Sequence, residues 1–154
     1  MKTIATVLLL LLAQFAAADG ELDAVFDRDV LLVLASKHAC YRLDIYIAES
    51  DEQRSRGLMH VRSLPQTTGM LFIYPEEQYV SMWMKNTFIP LDIAFVKADG
   101  RVSSIAYSTE PQSLRSIQSL ERVQFVLELN AGVAEKLSID QYSSLYWERD
   151  GRDE

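Results

Sequence analysis

Residues 123–129 read Val-Gln-Phe-Val-Leu-Glu-Leu, the clearest strand pattern in the chain. Apolar residues at every second position alternate with Gln124, Val126 and Glu128, which is the period of a β-strand with one buried face. Earlier in the chain, apolar or alternating segments predict strands at residues 30–34, 43–47, 70–74, 79–84, 91–95 and 101–107. The last two are joined at Asp99-Gly100, where glycine tolerates the positive φ of a hairpin turn.

Two short helices are predicted among these strands. Ser50 can cap the first, because Gln53 three residues later completes a capping box and Gly57 supplies a left-handed stop. Asn130 can cap the second, which covers residues 131–137. Six to eight strands with two short helices predict a mainly β (α+β) fold, a compact and largely antiparallel barrel or sandwich.

Strand alternation also predicts a single hydrophobic core. Truncating Phe125 to Ala should cost about 3 to 5 kcal/mol if that side chain is fully buried. The predicted core contains Leu43, Ile45, Ile47, Met70, Phe72, Leu91, Ile93, Phe95, Val123, Phe125, Leu127 and Leu129.

Composition and charge exclude several functions. A chain of 154 residues fits one domain, and its net charge of −7 is unsuited to binding nucleic acid or anionic lipid. One cysteine, Cys40, excludes a disulfide framework and a CxxC metal or redox site, and we predict it to be a small buried residue. No glycine-rich phosphate-binding motif is present, so no nucleotide cofactor is expected.

The chain divides into four predicted parts. Residues 1–18 resemble a secretory signal peptide, with Lys2 before an apolar stretch and Ala16-Ala17-Ala18 as a cleavage site. Residues 19–29 form an acidic lead-in, residues 30–147 a single β-rich domain, and residues 148–154 a charged tail. The expected mature protein is exported to the periplasm or the medium, with no stable membrane anchor after cleavage.

Four segments stand in a distinctive order, at residues 56–59, 69–72, 83–92 and 126–132. They read Arg-Gly-Leu-Met, then Gly-Met-Leu-Phe, then Trp-Met-Lys-Asn-Thr with Ile-Pro-Leu-Asp, and finally Val-Leu-Glu-Leu-Asn-Ala-Gly. Their order and spacing resemble the bacterial and archaeal family called domain of unknown function 192, over about residues 40 to 138. The resemblance implies a small, often exported, mostly β domain. It implies no reaction.

The third of these segments suggests a ligand site. Trp83, Lys85 and Asn86 offer polar groups beside an aromatic ring at the end of a strand, as small-ligand sites do. Arg56 ends the first predicted helix and is expected on the same rim. The alternative is a structural turn, in which Asn86 bonds its own backbone and Lys85 is solvated.

Asp92 and Glu128 are the acidic candidates. Alternation places each opposite the apolar side chains of its own strand, at the floor of the expected cleft. Together they would form a carboxylate pair capable of acid–base hydrolysis. The alternative is a buried ion pair, Arg56 with Glu128 or with Asp92, that fixes loop geometry.

A copper(I) site is a further alternative, because Met59, Met70, Met82 and Met84 lie close in sequence and His60 adjoins the first. The strand pattern instead favours three of these methionines as core residues, so no metal is predicted.

The sequence therefore predicts an exported, non-enzymatic binding module. Its polar rim cleft would contain Arg56, Trp83, Lys85, Asn86, Asp92 and Glu128, and its ligand would be a small anionic molecule or a glycan. The alternatives are a hydrolase that uses Asp92 and Glu128, or an accessory protein of the cell envelope with a sizeable exposed apolar patch.

Overall fold

The computed structural model describes residues 21–147, so the predicted signal segment and charged tail lie outside the described residues. The mainly β prediction is confirmed, with nine strands and three short helices. The strands are β1 (Asp27–Leu34), β2 (Cys40–Ala48), β3 (Thr68–Gln78), β4 (Ser81–Met82), β5 (Leu91–Val96), β6 (Val102–Ala106), β7 (Ile117–Gln118), β8 (Val123–Asn130) and β9 (Ser144–Tyr146). The helices are α1 (residues 21–23), α2 (Asp51–Arg56) and α3 (Val133–Lys136). None of the described helices is long and apolar enough to span a membrane.

Seven strands form one sheet in the order β6-β5-β8-β3-β2-β1-β9, and β4 pairs with β7 in a separate ribbon. Neighbouring strands are antiparallel except β2 and β3, whose parallel pairing follows from the crossover through α2. A bridge between Arg101 and Ser144 joins the two edges of the large sheet and nearly closes it into a barrel. The segment with the clearest pattern, β8, lies between β5 and β3.

This sheet is buried on both faces, so the prediction of a single core was wrong. The interior core draws on all seven strands of the barrel, whereas the outer core lies beneath α1, residues 58–64 and β4. Asp92 pairs with Leu129 across β5 and β8, so these two side chains share one face of the sheet. The residues next to them in each strand lie on the other face. The predicted residues divide accordingly. Met70, Phe72, Leu91, Ile93, Phe95 and Val123 lie in the outer core, and Leu43, Ile45, Ile47, Leu127 and Leu129 in the interior.

Residues 19–29 were predicted to be a solvated acidic lead-in, and for the described part, residues 21–29, this is corrected. Leu22 and Phe26 are buried in the outer core, and β1 already begins at Asp27. Glu21, Asp23 and Asp27 are exposed, while the two large apolar side chains of the segment pack inward. The described domain therefore includes the segment that the charge pattern had assigned to solvent.

The exposed end of β1 and β2 corrects the prediction for Cys40. This residue is a free, exposed cysteine, paired in register with Leu34, which is also exposed. Neither core covers this part of the sheet, so a small apolar residue there stays in contact with solvent.

Helix α2 follows the sequence signals of the first predicted helix, whereas α3 does not follow those of the second. The Ser50–Gln53 capping box is formed at α2, and Gly57 ends the helix at φ 47°. By contrast, Asn130 does not cap α3, because its side-chain amide donates to the carbonyl of Leu64 at 2.8 Å. Gly132 precedes α3 with no side-chain cap of its own.

Replacement of Phe125 by Ala is expected to cost about 1 to 2 kcal/mol, less than a fully buried site would lose. The side chain is only half-buried, packed against the interior core at the end of the barrel. Denaturant unfolding checks this, with the fully buried Phe72→Ala as a matched variant expected to lose about 3 to 5 kcal/mol. Equal losses at the two positions would contradict the placement of Phe125.

Candidate functional site

A cavity of about 370 Å³ opens on the outer side of the sheet, outside the barrel interior. Helix α2 and the residues after it form one wall, β3 lies at the back, and β4 with the residues after it forms the other wall. The lining side chains of most chemical interest are Asp51, Arg54, Arg56, Tyr74, Ser81, Trp83, Thr87 and Glu128. Three predicted site residues, Arg56, Trp83 and Glu128, therefore meet at one cavity.

Glu128 lies at the base of this cavity. In register it stands between Met70 of β3 and Ile93 of β5, so its side chain shares their outer face of the sheet. The residue is only 4% exposed, and burial raises the pKa of its carboxyl to about 8. No hydrogen bond or ion pair within residues 21–147 reaches this carboxyl. At neutral pH it is therefore mostly a protonated, uncharged acid facing the cavity.

Arg54 and Tyr74 belong to the site and were missed by the sequence analysis. The guanidinium of Arg54 donates to the carbonyls of Glu49 and Ile73, pairs with Asp51, and lies 5.1 Å from the centre of the Tyr74 ring. Burial raises the pKa of Tyr74, the arginine opposes this rise, and Glu128 reinforces it. From the sequence, a basic residue in the last turn of α2 is expected only to interact favourably with the helix dipole. No local sequence signal indicated that Arg54 packs against Tyr74.

Arg56 lines the cavity but does not form the predicted buried ion pair. Its Nη2 lies 3.0 Å from Glu21 Oε1, and both side chains are partly exposed. Neither Glu128 nor Asp92 has an arginine partner among the described residues. The partner of Arg56 comes from α1, a segment that the sequence analysis had placed outside the fold.

Trp83 and its neighbours form the rim. The Trp83 side chain is 49% exposed, and Lys85 Nζ lies 5.1 Å from the centre of its ring. Lys85 is outside the cavity lining, so it contacts the site only through the indole. Asn86 has a left-handed backbone at φ 55°, and its carbonyl accepts the amide of His60 at 2.8 Å. The structure thus gives Asn86 the role of a turn residue.

Asp92 is separated from Glu128 by the sheet itself. Its side chain is 1% exposed and points away from the cavity. Oδ1 accepts the amide of Ser108 at 2.9 Å, and Oδ2 accepts the amide of Ala134 at 3.0 Å. Asp92 therefore caps the first turn of α3, and the carboxylate pair expected for hydrolysis is not formed.

The methionines are mostly core residues. Met70, Met82 and Met84 lie in the outer core, where the sulfur of Met84 accepts the Thr109 hydroxyl at 3.2 Å. Two of the four, Met59 and Met82, also line the cavity. In the part of the chain that the structure describes, no three His, Cys, Asp or Glu side chains are grouped so as to hold a metal ion.

The fold and the cavity define a small, nearly closed β-barrel domain with a ligand-sized cavity on the outer face of its sheet. The chain belongs to the family DUF192, described as an uncharacterized ACR, which matches residues 32–147. This confirms the resemblance seen in the four sequence segments.

The solved structures similar to the chain include two bacterial proteins. One is a "putative transcription regulator" from Sinorhizobium meliloti 1021, 35% identical, with a TM-score of 0.77 over 79% of this chain and 94% of that one. The other is a protein of unknown function from Novosphingobium aromaticivorans DSM 12444, 29% identical, with a TM-score of 0.75 over 78% and 85% of the two chains. No curated protein is significantly similar to the chain in sequence.

Proposed function

We propose that the protein is an exported, non-enzymatic binding module whose cavity takes a neutral, hydroxyl-rich group such as one sugar residue of a glycan. The observation that carries this proposal is the Glu128 carboxyl, buried at the base of a ligand-sized cavity with no partner among the described residues. A carboxyl that has no protein partner and faces a cavity is available to donate to and accept from a ligand that enters.

The charges around the cavity favour a neutral ligand over a small anion. Arg54 pairs with Asp51, and Arg56 pairs with Glu21. The positive charges of the two arginines are therefore balanced by two carboxylates. Glu128, the remaining titratable carboxyl at the cavity, is mostly uncharged near pH 7. An anion would have to displace existing ion pairs, whereas an uncharged ligand would not.

The carboxyl group at the bottom of the cavity matches the hydrogen-bonding capacity of a hydroxyl group. A protonated carboxyl has one O–H donor and one carbonyl acceptor, and a sugar hydroxyl both donates and accepts. The half-exposed indole of Trp83 lines the same cavity, and its ring face opposite Lys85 offers a flat apolar surface to the C–H face of a pyranose ring. Ser81 and Thr87 supply further hydroxyls in the lining.

Binding is favoured over hydrolysis because no second, unpaired carboxyl lines the cavity among residues 21–147. Glycoside hydrolysis generally needs two carboxyl groups flanking the bond that is cleaved. Asp92 lies on the other face of the sheet, and Asp51 is exposed and paired with Arg54. The Sinorhizobium relative is called a "putative transcription regulator", but the net charge of −7 of this chain opposes contact with nucleic-acid phosphates. Export rests on the signal-like pattern of residues 1–18, and N-terminal sequencing of the mature protein tests it.

Trp83→Ala is expected to lower the affinity for a neutral saccharide at least tenfold with little change in thermal stability, because its half-exposed ring stacks on ligand rather than on core. Calorimetric titration with cello-, malto- and chito-oligosaccharides measures this. Tyr142→Ala is the matched control, since that exposed aromatic lies outside the cavity lining. A panel in which no neutral saccharide binds the wild type would overturn the proposed function.

Saccharide affinity is also expected to fall about tenfold between pH 7 and pH 9, because ionised Glu128 loses its donor. The same titrations at the two pH values measure this. Glu128→Gln keeps a donor and an acceptor at every pH, so the variant should show no such fall. A pH-dependent loss that persists in the variant would assign the effect to another group.

A further inference from the structure

We infer that the ligand is an extended glycan chain, and that a second sugar-binding surface runs from the cavity along the ribbon of β4 and β7. This inference rests on the proposed function and specifies its ligand. The surface, called here the ribbon face, consists of Tyr79, Ser81, Trp83, Ser116, Gln118 and Leu120.

The ribbon face is set by strand alternation. Val80, Met82 and Met84 point into the outer core, so Tyr79, Ser81 and Trp83 point to solvent. Ser81 is paired with Gln118 across the ribbon, and the backbone bond from Ser119 to Val80 at 2.9 Å extends the pairing by one residue. Continuing this register by one more residue places Tyr79 opposite Leu120.

This face is unusually exposed for its composition. Tyr79 is 71% exposed and Leu120 is 77% exposed, although both are large and apolar. Between them and Trp83 lie the polar side chains of Ser81 and Gln118. In the same register Ser116 stands opposite Trp83, and its hydroxyl is 2.7 Å from that of Ser81. None of the six side chains is charged, in a chain of which 24% of residues are charged.

The ribbon face is continuous with the cavity, because Ser81 and Trp83 belong to both. Tyr79 and Trp83 are four residues apart along an extended segment, which separates their Cα atoms by roughly 13 Å. Two rings at that separation cannot stack on a single monosaccharide. They can stack on different sugars of one chain whose hydroxyls meet Ser81 and Gln118 between them.

A protein partner fits the ribbon face less well. Protein interfaces have a desolvated apolar centre surrounded by a polar rim. Here the order is reversed, with polar side chains in the middle and rings at the ends. Rings combined with hydroxyl and amide groups suit the two kinds of surface on a neutral glycan, its C–H faces and its hydroxyls.

The experiment is a length series of neutral oligosaccharides, from one to six sugar units, titrated into the wild type and Tyr79→Ala. Wild-type affinity should rise at least tenfold from the single sugar to the longest chain. Tyr79→Ala should bind the single sugar as the wild type does and lose most of that rise. Tyr142→Ala, a substitution of an equally exposed tyrosine, should behave as the wild type.

The outcomes separate this inference from the proposed function. Chain-length dependence that survives Tyr79→Ala, with Trp83 still required, would overturn the ribbon face and leave the cavity proposal standing. Absence of all saccharide binding by the wild type would overturn both. Sedimentation that shows a dimer dissociated by Leu120→Ser would assign the face to a second copy of this chain and overturn the inference.

Discussion

The Glu128→Gln variant is expected to be more stable than the wild type above pH 8, by up to about 5 kcal/mol in its free energy of unfolding. In the native protein burial raises the pKa of Glu128 to about 8, whereas the unfolded chain releases this proton near the ordinary value of 4.5. Between these values the native state holds more protons than the unfolded state. Wild-type stability therefore falls as pH rises from about 4.5 to 8 and then levels off. Gln cannot titrate, so its variant lacks this fall.

Denaturant unfolding at a series of pH values measures the effect, and the two proteins should converge below pH 4.5. Glu76→Gln is the matched control, because that side chain is exposed and the substitution is the same. The control should follow the wild-type pH profile. A Glu128→Gln variant that is less stable than the wild type at pH 8 would indicate a cationic partner for the carboxyl and contradict its isolation.

This expectation reverses the one that a buried ion pair implies. If Arg56 were paired with Glu128, removing the acid would leave a buried cation without its partner and destabilise the fold. The observed partner of Arg56 is Glu21 at the surface, so no cation is left unpaired by the substitution. Glu128 lowers stability near neutral pH, and a role in binding explains why such a residue is present, since stability and function often compete at binding sites.

Local patterns predicted most of the secondary structure. The alternation of residues 123–129 and the Ser50–Gln53 capping box are properties of adjacent residues, and β8 and α2 form where they indicate. The strands β7 and β9 are two and three residues long, too short to carry a periodic signal. The burial of Met70, Met82 and Met84 also agrees with the strand pattern, which favoured three methionines as core residues.

Relations between strands were not predictable in the same way. Alternation gives two faces to each strand but does not say which face of one strand matches which face of the next. The register of β5 and β8 decides this, and it sends Asp92 inward and Glu128 outward. Arg54 and Tyr74 were missed for a related reason, because their contact joins a helix and a strand that no sequence period connects.

Asp92→Asn is expected to destabilise the protein by about 2 to 4 kcal/mol without weakening saccharide binding. The carboxylate accepts two backbone amides, one from Ser108 and one from Ala134 at the start of α3. An asparagine of the same shape accepts only one of them and turns its own NH₂ toward the other. The loss is therefore that of a charge-assisted bond plus a buried donor left facing a donor.

Urea unfolding of Asp92→Asn beside Asp27→Asn measures this, because Asp27 is exposed on β1 and its replacement should change stability by less than about 0.5 kcal/mol. The saccharide titration is the second readout, since Asp92 faces the barrel side of the sheet and Glu128 faces the cavity. A stable Asp92→Asn variant that has lost a hydrolytic activity of the wild type would restore the enzyme hypothesis. Lower stability with unchanged saccharide affinity would establish Asp92 as the residue that joins α3 to the barrel, because a purely structural residue affects the free energy of unfolding and not the affinity.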